Sequence, residues 1–371
     1  MRRQKRRGPW TASFLSSHIV LYSIGRDLSK NMRKGISIMA RNVLIVAPIG
    51  QDQIERVRHV SPELIIKEAS SPVADTEWRE AEIVFTVPWK LPEPKQVPHI
   101  RWMQLYSAGA DRLFSSPLLE TDMMVTTTSG LHVINIAEYV LAMTQAWYRK
   151  IPQLLAWKQG KNWGTNAERS ALFADELYGK TIGIVGYGSI GRQVARLAHT
   201  YNIRVLAMQR GTNHKDTGFQ FPEVGDPEGT LPERYYTFDQ LHDMLKECDI
   251  IVAAVPLTTE TRAMFNAAAF QSMKENAFFV NIARGEICDE NAMISALEQK
   301  QIAGAALDVF TQEPLSSTSP LWDLPNVLMS PHNSGPTPHY NERATDIFMA
   351  NLRRYLADEP MYNLVDKKRG Y

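Results

Sequence analysis

The chain has 371 residues, of which 44% are apolar and 22% charged, and its formal net charge is +1. That length suits two domains of roughly 100–200 residues each, and the balance is that of an ordinary soluble globular protein, without the excess charge that nucleic acid or an anionic membrane would call for. No apolar run approaches the ~20 residues that span a bilayer, and Cys248 and Cys288 stand far apart with no Cys/His pair beside them to build a structural zinc site, so no metal and two reduced thiols in a cytoplasmic protein are expected.

Residues 1–39 hold nine Lys or Arg and a single acid, Asp27. A targeting peptide can carry such charge, but the uncharged stretch from Ala12 to Ile24 is broken by Ser16, Ser17, His18 and Ser23. A disordered basic tail is expected instead, or a start at Met39 just before the first strand. From there, short apolar runs at 43–47, 63–67, 82–87, 101–106 and 123–127 read as strands. A helix over 133–150 follows, apolar on most sides, and therefore buried inside the monomer or against a partner. Pro152 ends or kinks it.

A second series begins with strands at 181–185, 203–208, 249–255, 278–282 and 303–309, separated by helices at 189–201, 238–246, 265–273 and 289–299. Strand–helix alternation at this spacing predicts an α/β fold with doubly wound parallel sheets. Residues 212–236, rich in Gly, Pro and charge, read as a long surface loop, mobile or functional.

Residues 181–191 contain the pattern Gly186-Tyr187-Gly188-Ser189-Ile190-Gly191 between an apolar strand and a helical stripe. Gly186 permits the tight turn, Gly188 lets a pyrophosphate approach the backbone, and Gly191 lets the helix pack on the sheet. The helix that follows offers unpaired N–H groups to phosphate. At the end of the next strand, where an acid would accept the ribose hydroxyl of NAD, stand Gln209 and Arg210. With no carboxylate to repel a 2′-phosphate and a guanidinium to grip it, NADP(H) is expected over NAD(H).

Three landmarks follow: Asn281-Ile282-Ala283-Arg284-Gly285; Asp308-Val309-Phe310 with Glu313-Pro314; and Ser330-Pro331-His332-Asn333-Ser334-Gly335. In this order, with the glycine pattern, the chain from about residue 42 onward resembles the D-isomer-specific 2-hydroxyacid dehydrogenase family. The resemblance implies a Rossmann cofactor domain (151–335) inserted into a flavodoxin-like substrate domain built from 40–150 and 336–365. It also implies a cleft active site and a homodimer.

By that resemblance the catalytic residues are Arg284, Glu313 and His332. Arg284 grips the carboxylate and carbonyl oxygen of a small 2-keto acid. His332 donates the proton in reduction and accepts it in oxidation, and Glu313 fixes its tautomer. Asp308 orients the nicotinamide carboxamide, Ala283 lines the cofactor, and the Val255-Pro256 turn with Thr261 lies beneath the adenosine and ribose. Tyr106-Ser107-Ala108-Gly109-Ala110-Asp111 resembles the family's substrate loop, in which the backbone N–H groups of Ala108 and Gly109 meet a carboxylate. His132 and His339 are secondary candidates for the cleft lining.

A dinucleotide-sensing binding protein on the same fold, like the C-terminal binding corepressors, would keep the same site; a peptide-docking surface or appended tails would mark it. The formate dehydrogenases of the same superfamily would carry Gln where Glu313 stands. Which 2-keto acid is used stays open among glyoxylate, hydroxypyruvate, phenylpyruvate and longer acids.

Overall fold

A computed structural model describes residues 40–70 and 72–368; the tail expected over 1–39 lies outside the described residues. The first series forms a five-stranded sheet from β1 (Arg41–Ile45), β2 (Leu64–Glu68), β3 (Ile83–Thr86), β4 (Trp102–Leu105) and β5 (Met124–Thr126). Its order is β2-β1-β3-β4-β5, and every pairing is parallel. This is the flavodoxin-like order, with its switch point between β1 and β3. β3 and β4 are buried along their whole length, as strands covered on both faces must be.

One of those covers comes from the far end of the chain. The helix Tyr340–Leu356 presents Ala344, Ile347, Phe348 and Leu352, spaced for one helical face, to Val43, Ile45, Ile83 and Phe85. The Phe348 ring lies 4.6 Å from Phe85 and 5.3 Å from Trp102, stacked on both. Beyond it the chain returns to the sheet edge, where Val365 N–H donates to Val125 O at 2.8 Å.

The second series forms a seven-stranded sheet from β6 (Thr181–Val185), β7 (Arg204–Met208), β8 (Arg234–Tyr236), β9 (Ile250–Ala253), β10 (Phe278–Asn281), β11 (Gly304–Leu307) and β12 (Val327–Met329). The order is β12-β11-β10-β9-β6-β7-β8, again parallel throughout. The order reverses between β6 and β9, the crevice where doubly wound sheets take their ligands. Among the described residues no helix is long and apolar enough to cross a membrane.

Two expectations are corrected. The helix Val133–Tyr148 falls on the first domain's side of a division at 150, yet its buried face (Ile136, Ala137, Val140, Leu141, Tyr148) packs on Ile182, Ile184, Val194 and Ala195 of the second sheet's core. Trp147 stacks on Phe278 at 5.0 Å. Left-handed Lys150 (φ 56) ends this helix, and Pro152 sits in the first turn of the next, Ile151–Gln159, where its missing N–H leaves nothing unsatisfied.

The stretch 212–236 is no loose loop; its end is β8 and its middle is bolted down. Asp226, 5% exposed, accepts from the Tyr187 hydroxyl at 2.7 Å and from the N–H groups of Thr230 and Leu231, both at 3.0 Å. Burial pushes its carboxyl up, but the Leu231 N–H, the Tyr187 hydroxyl, the Thr230 N–H and the Arg192 charge outweigh that and hold it below the usual carboxylate range. Arg192, buried in the first turns of the helix Ser189–Thr200, donates to Asp226 O at 2.6 Å and His214 O at 2.8 Å. At the far side Phe219 N–H reaches Asn363 Oδ1 at 3.3 Å and its ring meets Tyr362 edge-on. The segment therefore straps the second sheet's first helix to the returning C-terminal chain.

Candidate active site

The glycine turn joins β6 to the helix Ser189–Thr200. Gly186 has φ 103, and a Cβ there would lie 2.6 Å from the Ala254 carbonyl, so this turn closes against the end of β9 only without a side chain. A Cβ on Gly191 would lie 2.4 Å from Gly186 O. Gly188 differs: a Cβ there would meet nothing within 4 Å. It is the residue preceding a 12-residue helix whose N-terminus has no side-chain cap. Open space before uncapped N–H groups suits a pyrophosphate. Ser189 and Ile190 open that helix beside the space, and Ile190 packs partly on the core. Tyr187 is 3% exposed and its hydroxyl is spent on Asp226, so only its backbone faces the turn.

At the end of β7, Gln209 Nε2 donates to Asn213 O at 2.7 Å. Arg210 is ion-paired with Glu260 in the turn after β9, and its guanidinium lies 5.5 Å from the Phe238 ring. Val255 and Pro256 leave the end of β9 as expected, but Thr261, 1% exposed, turns its hydroxyl onto Pro256 O at 2.6 Å. The hydroxyl thereby closes the turn that leaves β9.

The remaining candidates sit beyond the C-terminal ends of three adjacent strands. Arg284 follows β10, Asp308 and Glu313 follow β11, and His332 follows β12. His332 Nδ1 lies 2.7 Å from Glu313 Oε2, and Glu313 Oε1 accepts the Phe310 N–H at 3.0 Å. With Nδ1 engaged, Nε2 is the nitrogen left for a substrate proton. Gly285 brings the Arg284 turn against Phe310, since a Cβ there would fall 1.9 Å from the Phe310 carbonyl carbon. Arg284, Phe310, Glu313 and His332 thus form one run of contacts, with Ala283 buried behind it.

Asp308 is held from within the protein. It is 1% exposed and both oxygens are turned into the protein. Oδ1 accepts from the Asn333 N–H at 2.8 Å, the Ser334 N–H at 3.1 Å and the Ser330 hydroxyl at 2.5 Å, and Oδ2 accepts from the Ser334 hydroxyl. The Ser330 hydroxyl also meets the Tyr139 hydroxyl at 2.6 Å. Burial pushes Tyr139 up to about 12, so it stays a neutral donor. Asp308 anchors the turn that carries His332. Ser330 and Ser334 are visible in the quoted motif, but their partner lies more than twenty residues upstream, a pairing that local spacing cannot reveal.

The loop after β4 brings Ala108 and Gly109 to the same place. Arg284 Nη2 lies 3.1 Å from Asp111 Oδ2, and a Cβ on Gly109 would lie 3.2 Å from Arg284 Nη2. The two lobes therefore meet at Arg284, and Asp111, which closes the quoted loop segment but had no role assigned there, is its partner. His132 joins the lobes differently: its Nδ1 lies 2.8 Å from Gly335 O, and burial lowers its pKa. His339 is exposed and pairs with Glu342.

Residues 141–334 match the family model described as D-isomer specific 2-hydroxyacid dehydrogenase, NAD binding domain. A glyoxylate reductase of Pyrococcus furiosus is 32% identical over 277 residues, covering 74% of this chain and 78% of that protein. Glyoxylate/hydroxypyruvate reductase B of Salmonella gallinarum is 34% identical over 239 residues, covering 64% of this chain and 69% of that one. Among solved structures, a D-isomer specific 2-hydroxyacid dehydrogenase from Xanthobacter autotrophicus Py2, in complex with NADPH and MES, superimposes with a TM-score of 0.72 at 26% identity, over 90% of this chain and 100% of that one.

Proposed function

The chain belongs to the D-isomer specific 2-hydroxyacid dehydrogenase family and is an NAD(P)-dependent enzyme, and from that premise we propose that it reduces a small 2-keto acid to the D-2-hydroxy acid through Arg284, His332 and Glu313. The observation that carries this reading is the His332–Glu313 pair at 2.7 Å, joined through Phe310 and Gly285 to Arg284 on the next strand. Relatives that reduce glyoxylate and hydroxypyruvate make these the first substrates to try.

A bound reduced nicotinamide would supply hydride for the keto carbon. The protein's work is on the other two charges. The Arg284 guanidinium holds the substrate carboxylate and stabilises the negative charge that grows on the carbonyl oxygen. The backbone N–H groups of Ala108 and Gly109 hold the same carboxylate from the other lobe. His332 gives its Nε2 proton to the new alkoxide, and Glu313, bonded to Nδ1, keeps the ring turned. Oxidation runs the same proton back. Asp308 acts at one remove, by fixing the His332 turn.

NADPH is the preferred donor. Arg210 exchanges its solvent-exposed partner Glu260, whose side chain is 66% exposed, for a 2′-phosphate, and no acid stands at residues 209–210. Further parts of the proposal are a homodimer and a cytoplasmic location, the latter supported by two buried thiols. The deciding experiment follows loss of reduced-nicotinamide absorbance with a panel of keto acids and each cofactor. Turnover of glyoxylate or hydroxypyruvate is expected; no consumption of any keto acid with either cofactor overturns the function. A roughly tenfold advantage in kcat/KM for NADH overturns the cofactor choice alone.

A further inference from the structure

Arg284, the residue read above as the carboxylate anchor, already holds a carboxylate. Asp111 Oδ2 lies 3.1 Å from its Nη2, across 173 residues of sequence and from the opposite lobe. The second terminal nitrogen, Nη1, is committed to Ala283 O at 2.7 Å, so Nη2 is the one that faces Asp111. The place where the two groups meet is made by Gly109: a Cβ there would fall 2.8 Å from Asp111 Oδ2 and 3.2 Å from Arg284 Nη2. Ser107 Oγ donates to Gly109 O at 2.7 Å, which closes the loop around that notch. Both side chains are open to water, 40% for Arg284 and 61% for Asp111, so the pair can be exchanged at small cost.

We propose that the Asp111 carboxylate is an internal stand-in for the substrate's own. It keeps Arg284 drawn across the cleft while no acid is bound, and an entering keto acid displaces it from the Gly109 notch. Asp111 is then a specificity-determining residue. It competes with every monocarboxylate, and once displaced it remains close by as a like charge that penalises a second anionic group on the substrate. Substrates whose remote end is neutral are favoured over dicarboxylic keto acids.

This rests on Arg284 being the carboxylate anchor, and the test separates the two. Oxamate, a non-reducible monocarboxylate, is titrated calorimetrically into the full-length protein saturated with NADPH, and in parallel with NADH, for the wild type, Asp111→Asn and Asp111→Glu. Removal of one exposed competing charge should tighten oxamate binding about fivefold in Asp111→Asn, while Asp111→Glu stays near the wild type. With a reducible keto acid the same change should fall on KM and not on kcat, and the penalty against a dicarboxylic keto acid should shrink. Unchanged or weaker oxamate binding in Asp111→Asn overturns the inference, and so does a joint loss of affinity and kcat in both variants, the mark of a purely structural residue. Failure of the wild type to reduce any keto acid would sink the functional reading, and the oxamate titration would still decide the exchange.

Discussion

His332 holds a left-handed backbone, φ 52, which costs a residue with a Cβ on the order of 1 kcal/mol. The strain is held by two hydrogen bonds from its own N–H, to Asp308 O at 2.8 Å and Ser330 O at 3.0 Å, and by the Asp308 carboxylate beneath the turn. A backbone so fixed should survive loss of the ring. His332→Ala is therefore expected to lower kcat by at least about a hundredfold, as removal of a general acid does, while dinucleotide affinity measured by fluorescence titration stays within about threefold. Joint collapse of turnover and affinity would mean that the imidazole supports the fold. Glu313→Gln should lower kcat while preserving the bond to Phe310 N–H. The three catalytic candidates were legible because each lies in a short run of distinctive residues. The working partners of Asp308 and Arg284 were not. Burial and long-range pairing decide where a carboxylate points, and neither leaves a local trace.

The glycines of the two sheet-edge turns carry opposite loads, and substitution should separate them. Gly188 faces open space, so Gly188→Ala should fold with nearly unchanged stability and raise the dinucleotide dissociation constant severalfold by crowding the phosphates. Gly285→Ala would drive a methyl into the Phe310 carbonyl at 1.9 Å and should cost several kcal/mol or prevent folding. Equal effects of both on thermal stability would contradict this division. The strap over 212–231 is the element that sequence composition misread. Gly, Pro and charge signal the absence of regular structure, not the absence of packing, and Asp226 alone takes three bonds there. Because its folded carboxyl is held below the unfolded value, its contribution is present above the ordinary carboxylate range and is lost as pH falls through the folded value. Asp226→Asn should be less stable than the wild type by about 1–3 kcal/mol near neutrality, and urea midpoints should converge below about pH 4. A gap that is independent of pH would show that the charge is not what fastens the strap. β8 and β12, three residues each, were missed; β8 lies inside the stretch read as a loop, and both are outermost strands of their sheet.

At the scale of the whole molecule, both sheets and their parallel winding could be read from alternating apolar runs, and the return of the chain's end to the first sheet came from resemblance. The pattern gave no sign that apolar side chains over residues 151–178 stay in water. The helices Ile151–Gln159 and Asn166–Ala171 bury none of their residues. Around them Leu154 and Leu155 are about half exposed, and Trp163, Phe173 and Tyr178 are 84%, 77% and 72% exposed. A monomer gains nothing by holding three aromatic rings in water, and exposed rings close together in sequence are a candidate contact surface. The homodimer proposed above would be expected to use these side chains, since a self-complementary interface needs only one such surface on each copy. Because these side chains contribute little to the protomer's own core, replacing them should split the assembly without unfolding the chain. Trp163→Glu combined with Phe173→Glu is expected to halve the mass seen by light scattering at micromolar concentration, with the far-ultraviolet dichroism of each protomer retained. Added salt should leave the wild-type dimer intact, because apolar burial, unlike exposed ion pairs, is not screened. A wild type that is monomeric at every accessible concentration, or a double variant of unchanged mass, would refute this assignment of the patch and leave the catalytic reading of Arg284, Glu313 and His332 untouched.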